Sequence, residues 1–483
     1  MRHSHRSVLI EGITLLKVIK NSQQSSLFWV LAIFSFIYLG IAFPFSYFRH
    51  DDWLMIGNVA RIIPSDWKFI FQPYLIFNSV PEVWFFRPWF KLILYLLYQS
   101  LGFYYYGWLA INLLFTLGTL VFGYFTIKET TRDRSKGLIF VLFFVFSVHF
   151  HFASLVWVGE GTMNCPQIFL LFLNFYLFSK SLHQKNTKFF SLYYCLAFIV
   201  FAFSLGFKEA AVFHLPFLLL LLFHQEQSVQ LSFKKKIMLL VPYFILACAY
   251  LYFRLYLIPF NPGYKPRGDL SWFLTPILFL LAALSLPLGS IMIACLRNEQ
   301  MKLESIKSLF KTIPYFVFLI PFFITYMGHG FFSPGWLLAP GFYCSFILGL
   351  YVPKPLQQPT VLLKSVVFTL ILSTGLVLYQ TNELSWWSWY RPQRQILEII
   401  KDAGSSQTET INVYNCEEPN QKNPHLHRVV GYSDSIQEIF WLNHKKLPKV
   451  NELPCSSIEN LANKSQSNTL SLVWRFPEFT ILP

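Results

Sequence analysis

The sequence predicts an all-α polytopic membrane protein of about eleven transmembrane helices. Interfacial helices are expected in its first outer loop, and a small α/β domain on the extracytoplasmic side at the C-terminus. Three observations carry this. Of 483 residues 54% are apolar and only 13% charged, with 54 Phe. Windows of roughly 20 mostly apolar residues recur until about residue 380, each long enough to cross the hydrocarbon core. Beyond residue 380 Gln, Asn, Ser, Glu and Lys rise, and apolar runs shorten to strand length, as in Ile411–Tyr414 and Leu470–Trp474.

The spans read as 27–45, 103–127, 138–156, 164–179, 189–206, 210–223, 237–257, 272–296, 312–328, 334–352 and 362–379. Those at 164–179 and 210–223 are short, open to tilted or re-entrant arrangements. The first run is preceded by 26 residues and followed by no small-residue cleavage site, so it reads as an anchor. The chain divides into a basic leader at 1–26, a membrane domain at 27–380 with a long outer loop at 46–102, and the C-terminal domain at 381–483.

The net charge of +15 invites a nucleic-acid partner, but its distribution argues against one. With the N-terminus inside, the inner segments hold 20 Lys and Arg and the outer segments before residue 380 hold 8. That is the positive-inside bias, which places the N-terminus in the cytoplasm and the C-terminal domain outside. Membrane lipids, and no nucleic acid, are the expected surroundings. Cys416 and Cys455 lie in the outer domain, where an oxidising compartment would permit a disulfide; the other five Cys fall in or beside spans and read as small apolar packing residues.

Two stretches of the outer loop, 52–63 and 88–101, space apolar residues at helical period with polar ones between. Both read as amphipathic helices lying in the interface, with Trp53, Trp67, Trp84 and Trp89 as headgroup-level anchors. The first begins with adjacent acids, Asp51 and Asp52. Paired carboxylates repel, and a membrane boundary disfavours ionisation further, so one of them is placed to act as a general base. The plainer alternative is a helix cap.

Four further features gather on the same side. Arg87 precedes Pro88, which suits the first position of a helix; its guanidinium could bind a phosphate or simply snorkel to the headgroups. Lys208-Glu209 stands between two apolar runs, as a local ion pair or as part of a site. Arg254 lies within a span and must face protein, water or a headgroup. Arg87, Lys208 and Arg254 together could receive an anion near the outer leaflet, and a lipid phosphate is the anion at that depth. His149 and His151 are two apart, a spacing that suits no one helical face, so no metal is expected; Glu160 and Asn164, in a short outer turn, could reach the same cavity. The chain has no Walker-type Gly loop, no CxxC and no GxSxG.

Taken in order, these features resemble the GT-C superfamily of integral membrane glycosyltransferases, and within it the protein O-mannosyltransferase-like branch that includes the transmembrane TPR-containing enzymes. The resemblance rests on Asp51-Asp52, Arg87-Pro88, Gly107 to Asn112, His149-Phe150-His151 through Trp157-Val158-Gly159-Glu160, Lys208-Glu209 with Pro216, and Arg254, over residues 27–350. It implies a GT-C-like bundle and transfer of a monosaccharide from a polyprenyl-phosphate or dolichyl-phosphate donor to a glycan, lipid or protein hydroxyl. Asp51 would be the base, with inversion at the anomeric carbon. Asp52 would assist in positioning, and Arg87, Lys208 and Arg254 would hold the departing phosphate with Glu209, His149, His151 and Glu160 around them. No cofactor is implied beyond the donor. The chain departs from that branch in having no TPR array and in carrying Phe207 before the Lys-Glu pair. The absence of a TPR tail and of a retention signal points to a bacterial inner (plasma) membrane. A lipid-linked-glycan flippase, or an inactive GT-C-like scaffold, are the competing readings; a flippase would carry internal repeats and mid-membrane charges.

Overall fold

The computed structural model describes residues 27–36, 38, 47–48, 50–75, 84–183, 191–224, 232–258, 274, 277–278, 313–322, 338–351, 371, 375, 391–403, 407–416, 433–458, 468–475 and 478–482. Of these, 50–51, 74–75, 84, 146–154, 313, 403, 433–434 and 478 are described by their backbone alone.

The chain opens with α1 (Leu27–Phe36) and α2 (His50–Ile62). A 3₁₀ turn (Trp67–Phe71) and a short antiparallel ribbon of β1 (Tyr74–Leu75) and β2 (Trp84–Phe85) lead to α3 (Pro88–Leu101). Three long helices, α4 (Tyr105–Thr131), α5 (Arg134–Val156) and α6 (Val158–Leu182), and the shorter α7 (Leu192–Leu205) follow. A 3₁₀ turn (Glu209–His214) runs into α8 (Leu215–His224). Helix α9 (Phe233–Tyr252) ends in a π turn (Phe253–Leu257), and α10 (Leu338–Tyr351) closes the described part of the bundle.

Local sequence sets several of these limits. Arg132 takes a left-handed φ of 54° at the end of α4, and the Asp133 carboxylate accepts from Ser135 N at the start of α5. Ser191 and Ser232 cap α7 and α9 in the same way.

Among the described residues three helices are long and apolar enough to cross a membrane: Tyr105–Thr131, Val158–Leu182 and Phe233–Leu257. Shorter apolar helices stand at Leu27–Phe36, Leu192–Leu205, Glu209–His224 and Leu338–Tyr351. The chain is thus an integral membrane protein with a helical bundle. The expected spans at 272–296 and 362–379 lie almost wholly outside the described residues. One expectation needs correcting. The span drawn at 164–179 is a helix beginning at Val158, so the expected outer turn at 159–164 is its first turns. Gly159, Glu160, Thr162 and Asn164 depress the local hydropathy, but they face protein and not lipid.

The bundle is held by ring packing and internal hydrogen bonds, since between helices in lipid there is little hydrophobic drive. Phe144 stacks on Phe342 at 3.7 Å and Phe175 on Phe346 at 4.9 Å, which seats α10 against α5 and α6. A fully buried polar chain crosses the centre. The Asn174 amide donates to Ala197 O (2.7 Å) and to Tyr243 Oη (3.3 Å), so its Oδ1 is left as an acceptor for His214 Nε2 at 2.9 Å. His214 therefore carries its proton on Nε2, and Nδ1 accepts from the Tyr343 hydroxyl at 2.7 Å. Five segments, α6, α7, the 209–214 turn, α9 and α10, are tied at one point.

The C-terminal part consists of α11 (Arg391–Ala403), β3 (Thr410–Asn415), α12 (Ser433–His444), β4 (Lys449–Pro454), β5 (Thr469–Arg475) and β6 (Glu478–Ile481). The sheet order is β4-β3-β5-β6, with β3 parallel to both neighbours and β6 antiparallel to β5. Asn415 pairs with Pro454, so the parallel register brings the next residues together, and Cys416 and Cys455 form a disulfide with Cα atoms 4.6 Å apart.

Helix α2 is where expectation and structure part most clearly. It is a helix over nearly the expected residues, yet 52–60 are buried throughout. It does not lie in the interface with its polar face in water. Its polar side meets the C-terminal part: Trp53 Nε1 donates to Gln393 Oε1 (2.9 Å), and Arg61 pairs with Glu438 (2.8 Å). Trp53 is fully buried and is not a headgroup anchor, whereas Trp67 is 64% exposed. Trp89 stacks on Phe203 at 4.4 Å, and the Trp84 side chain lies outside the described residues.

Candidate functional site

The site is built on the first turns of α6. Two neighbouring residues there reach in different directions. The Gly159 N–H donates to Asp52 Oδ1 at 2.6 Å, and the Glu160 carboxylate takes Lys208 at 3.5 Å. The acid-bearing helix and the cationic residues thus meet on one segment.

Asp52 is fully buried in the first turn of α2. An amide near a helix N-terminus lacks an intrahelical partner, and the Asp52 carboxylate satisfies one belonging to α6. Helix α2 starts at His50, so neither acid is the N-cap expected for its own helix; Asp52 instead satisfies an amide of a neighbouring one. The approach is close: a Cβ on Gly159 would meet Asp52 Oδ1 at 2.9 Å and would collide with the Met55 methyl. Asp51 is in the same first turn, and its side chain lies outside the described residues, as do those of His149 and His151 on α5.

Lys208 and Glu209 do not pair with each other. The backbone is extended at Lys208 and turns into 3₁₀ geometry at Glu209, which throws the side chains apart. Lys208 Nζ donates to Asn164 Oδ1 (3.2 Å) beside Glu160, and Asn164 Nδ2 donates to Glu160 Oε2 (2.6 Å). The Gln167 amide holds the Lys208 carbonyl at 2.5 Å, so α6 fixes this residue at both ends. Glu160, Asn164 and Gln167 share one face at helical spacing.

Glu209 is bridged by two guanidiniums. Arg87 Nη2 lies 3.0 Å from its Oε2, and Arg254 Nε 3.2 Å from its Oε1. Arg87 stands at the entry of α3 with Pro88 at its first position, as expected, and the Trp89 amide donates to Gly206 O at 3.2 Å. Its Nη1 also meets Met163 Sδ at 3.0 Å, and its plane lies 4.2 Å from the Phe85 ring centre. Arg254 sits in the π turn that ends α9.

The electrostatics follow. Burial alone would raise the Glu209 carboxyl, but Arg87 and Arg254 outweigh it and hold it at about 2. Burial pushes the Lys208 ammonium down, opposed by Glu160. Among the described residues three cationic side chains, Arg87, Lys208 and Arg254, face the carboxylates of Glu160 and Glu209. Among the described residues no three His, Cys, Asp or Glu gather as a metal site requires.

The sequence-expected residues Arg87, Lys208, Glu209, Arg254 and Glu160 are therefore brought together, and Asp52, on α2, is bonded to Gly159, the neighbour of Glu160 on α6. Sequence reasoning missed Met163 and Gln167, which carry no charge to mark them. Helical spacing of three from Glu160 and from Asn164 leads to Met163 and Gln167, and that is the signal that could have found them.

No family model matches the chain, and none of the curated proteins matches it. Several solved structures are similar, two of them of one protein. The crystal structure of ArnT from Cupriavidus metallidurans in the apo state is 10% identical, covers 94% of this chain and 93% of that one, and gives a TM-score of 0.50. The same protein bound to undecaprenyl phosphate is 11% identical with 93% of each chain covered, at a TM-score of 0.49. The likeness is one of fold alone, and it does not single out the O-mannosyltransferase branch.

Proposed function

We propose that this chain is a glycosyltransferase that moves a monosaccharide from a polyprenyl-phosphate or dolichyl-phosphate carrier to a hydroxyl of a glycan, lipid or protein acceptor. The reaction runs on the outer face of a bacterial inner membrane, with the N-terminus in the cytoplasm and inversion at the anomeric carbon. The observation that carries this reading is the partly buried cluster of Arg87, Lys208 and Arg254, joined through the first turn of α6 to the helix that bears Asp51 and Asp52. The overall fold, shared with a membrane glycosyltransferase, accords with it.

The acceptor oxygen forms its bond to C1 of the sugar as the C1–oxygen bond to the phosphate breaks. The acceptor proton goes to Asp51, and the bonding pair leaves with the phosphate. Negative charge grows on the departing oxygens, where preorganised guanidinium and ammonium groups in a water-poor site stabilise it most. Glu209 holds the two guanidiniums apart and oriented without cancelling them. Asp52, occupied by the Gly159 amide, keeps the acid helix in register with the cation cluster.

The test uses purified protein in lipid nanodiscs, radiolabelled polyprenyl-phosphate sugars and candidate acceptors. Wild type transfers label, and Asp51→Asn lowers turnover by about 10²-fold or more, with donor binding retained. Transfer that survives Asp51→Asn would remove the base assignment. Movement of the lipid-linked sugar across the membrane without transfer would put a flippase in its place.

A further inference from the structure

Tyr250 lies one turn before Arg254 on the helix that ends at the cluster, and residues four apart share a helix face. Its hydroxyl is shut off from solvent and, among the described residues, has no hydrogen-bond partner. It stands within electrostatic reach of Glu209, Arg87 and Arg254 together. A buried hydroxyl left unpaired is costly, and such groups in folded proteins are nearly always satisfied. Both oxygens of Glu209 are already engaged, one by each guanidinium. The cluster therefore has a buried O–H donor beside its two guanidiniums.

We propose that the Tyr250 hydroxyl donates a hydrogen bond to a phosphoryl oxygen bound at the Arg87–Arg254 pair, making it a phosphate-recognition residue of this site; the inference rests on the glycosyltransferase reading above. A phosphate offers acceptors only on its free oxygens, so an O–H donor complements it where a further carboxylate or carbonyl would not. As the sugar–oxygen bond breaks, charge accumulates on the phosphate and this hydrogen bond strengthens. Tyr250 then assists departure as well as binding.

Tyr250→Phe removes the hydroxyl and keeps the ring. Thermal unfolding of full-length wild type and Tyr250→Phe in nanodiscs is measured ligand-free, and then with polyprenyl phosphate, with inorganic phosphate and with uncharged polyprenol. Affinity for the phosphate-bearing ligand falls about tenfold in the variant, the effect of one hydrogen bond to a charged group. Polyprenol binding is unchanged. The ligand-free melting temperature stays level or rises, because a buried unpaired hydroxyl has been removed; a packing role would lower it. Loss confined to the lipid phosphate identifies the carrier as the ligand, and loss toward inorganic phosphate as well shows that the headgroup alone is recognised. Wild type that binds a phosphate ligand with Tyr250→Phe indistinguishable from it overturns the Tyr250 role alone. Wild type that binds neither phosphate ligand overturns this inference and the glycosyltransferase reading together.

Discussion

Lys208 and Glu209 are neighbours in sequence, but each takes its partners from other helices. Composition marks both as functional or paired, because charge between two apolar runs is expensive, but it cannot say with what. The answer depends on one backbone change, extended at 208 and 3₁₀ at 209, which no charge pattern encodes. The cations Arg87, Lys208 and Arg254 were legible as a group for the same reason that Tyr250 was not: charge in lipid demands an explanation, whereas tyrosine in a span does not. A second buried charge, Lys91 on α3, belongs to this scale. Its ammonium donates to Phe69 O and to Gln72 O (2.7 Å), pinning the 3₁₀ turn. Burial nonetheless lowers it to about 7 from an ordinary value of 10.5. The unfolded chain therefore binds the extra proton between those two values while the folded one does not, so stability rises with pH across that window. Glu209, ionised down to about 2, contributes nothing to pH dependence near neutrality. Melting temperature measured between pH 7 and 9 is expected to climb in wild type and to climb less in Lys91→Met. Equal slopes would show that Lys91 keeps its proton throughout.

At the scale of the element, α2 shows what amphipathic spacing leaves open. Period and position were readable, and the helix runs over nearly the expected residues. The pattern cannot distinguish a polar face turned to water from one turned to another domain, because both want the same residues at the surface of the helix. Burial of 52–60 decides for the second. The same helix joins α6 through Asp52 and Gly159, and this separates two roles for the acid. Asparagine can accept from the Gly159 amide as well as aspartate, whereas alanine cannot. Asp52→Ala is expected to cost about 1–2 kcal/mol, and Asp52→Asn only a few tenths. Denaturation midpoints of the two variants check this. If Asp52→Asn retains wild-type stability and still loses transfer, its carboxylate charge serves the reaction; if it retains both, Asp52 is a strut between helices.

Over the whole molecule, the strand-length runs at 411–414 and 470–474 were legible as strands and pair side by side in the sheet. Sequence could not reveal that this part docks on the acid-bearing helix, since the contacts join residues some 340 to 377 positions apart. Trp53 reaches Gln393 on α11, and Arg61 reaches Glu438 on α12 while also holding Asn58 at 2.9 Å. The contact is tightest at Gly57, where an added Cβ would lie 2.8 Å from Glu438 Cδ and 2.9 Å from its Cβ. Glu438 is buried and committed to Arg61, so it cannot swing aside without leaving a charge unpaired. Gly57→Ala must instead push α12 and α2 apart, at an overpacking cost of about 1–3 kcal/mol. A displacement of α2 also shifts the acid pair against the cations, so turnover should fall by more than donor binding does. Glu438→Ala makes room at the far end of the side chain but strands Arg61, and combining it with Gly57→Ala should cost less than the two separate losses added together. Strict additivity in that cycle, measured by denaturation, would mean that the two helices do not meet as described.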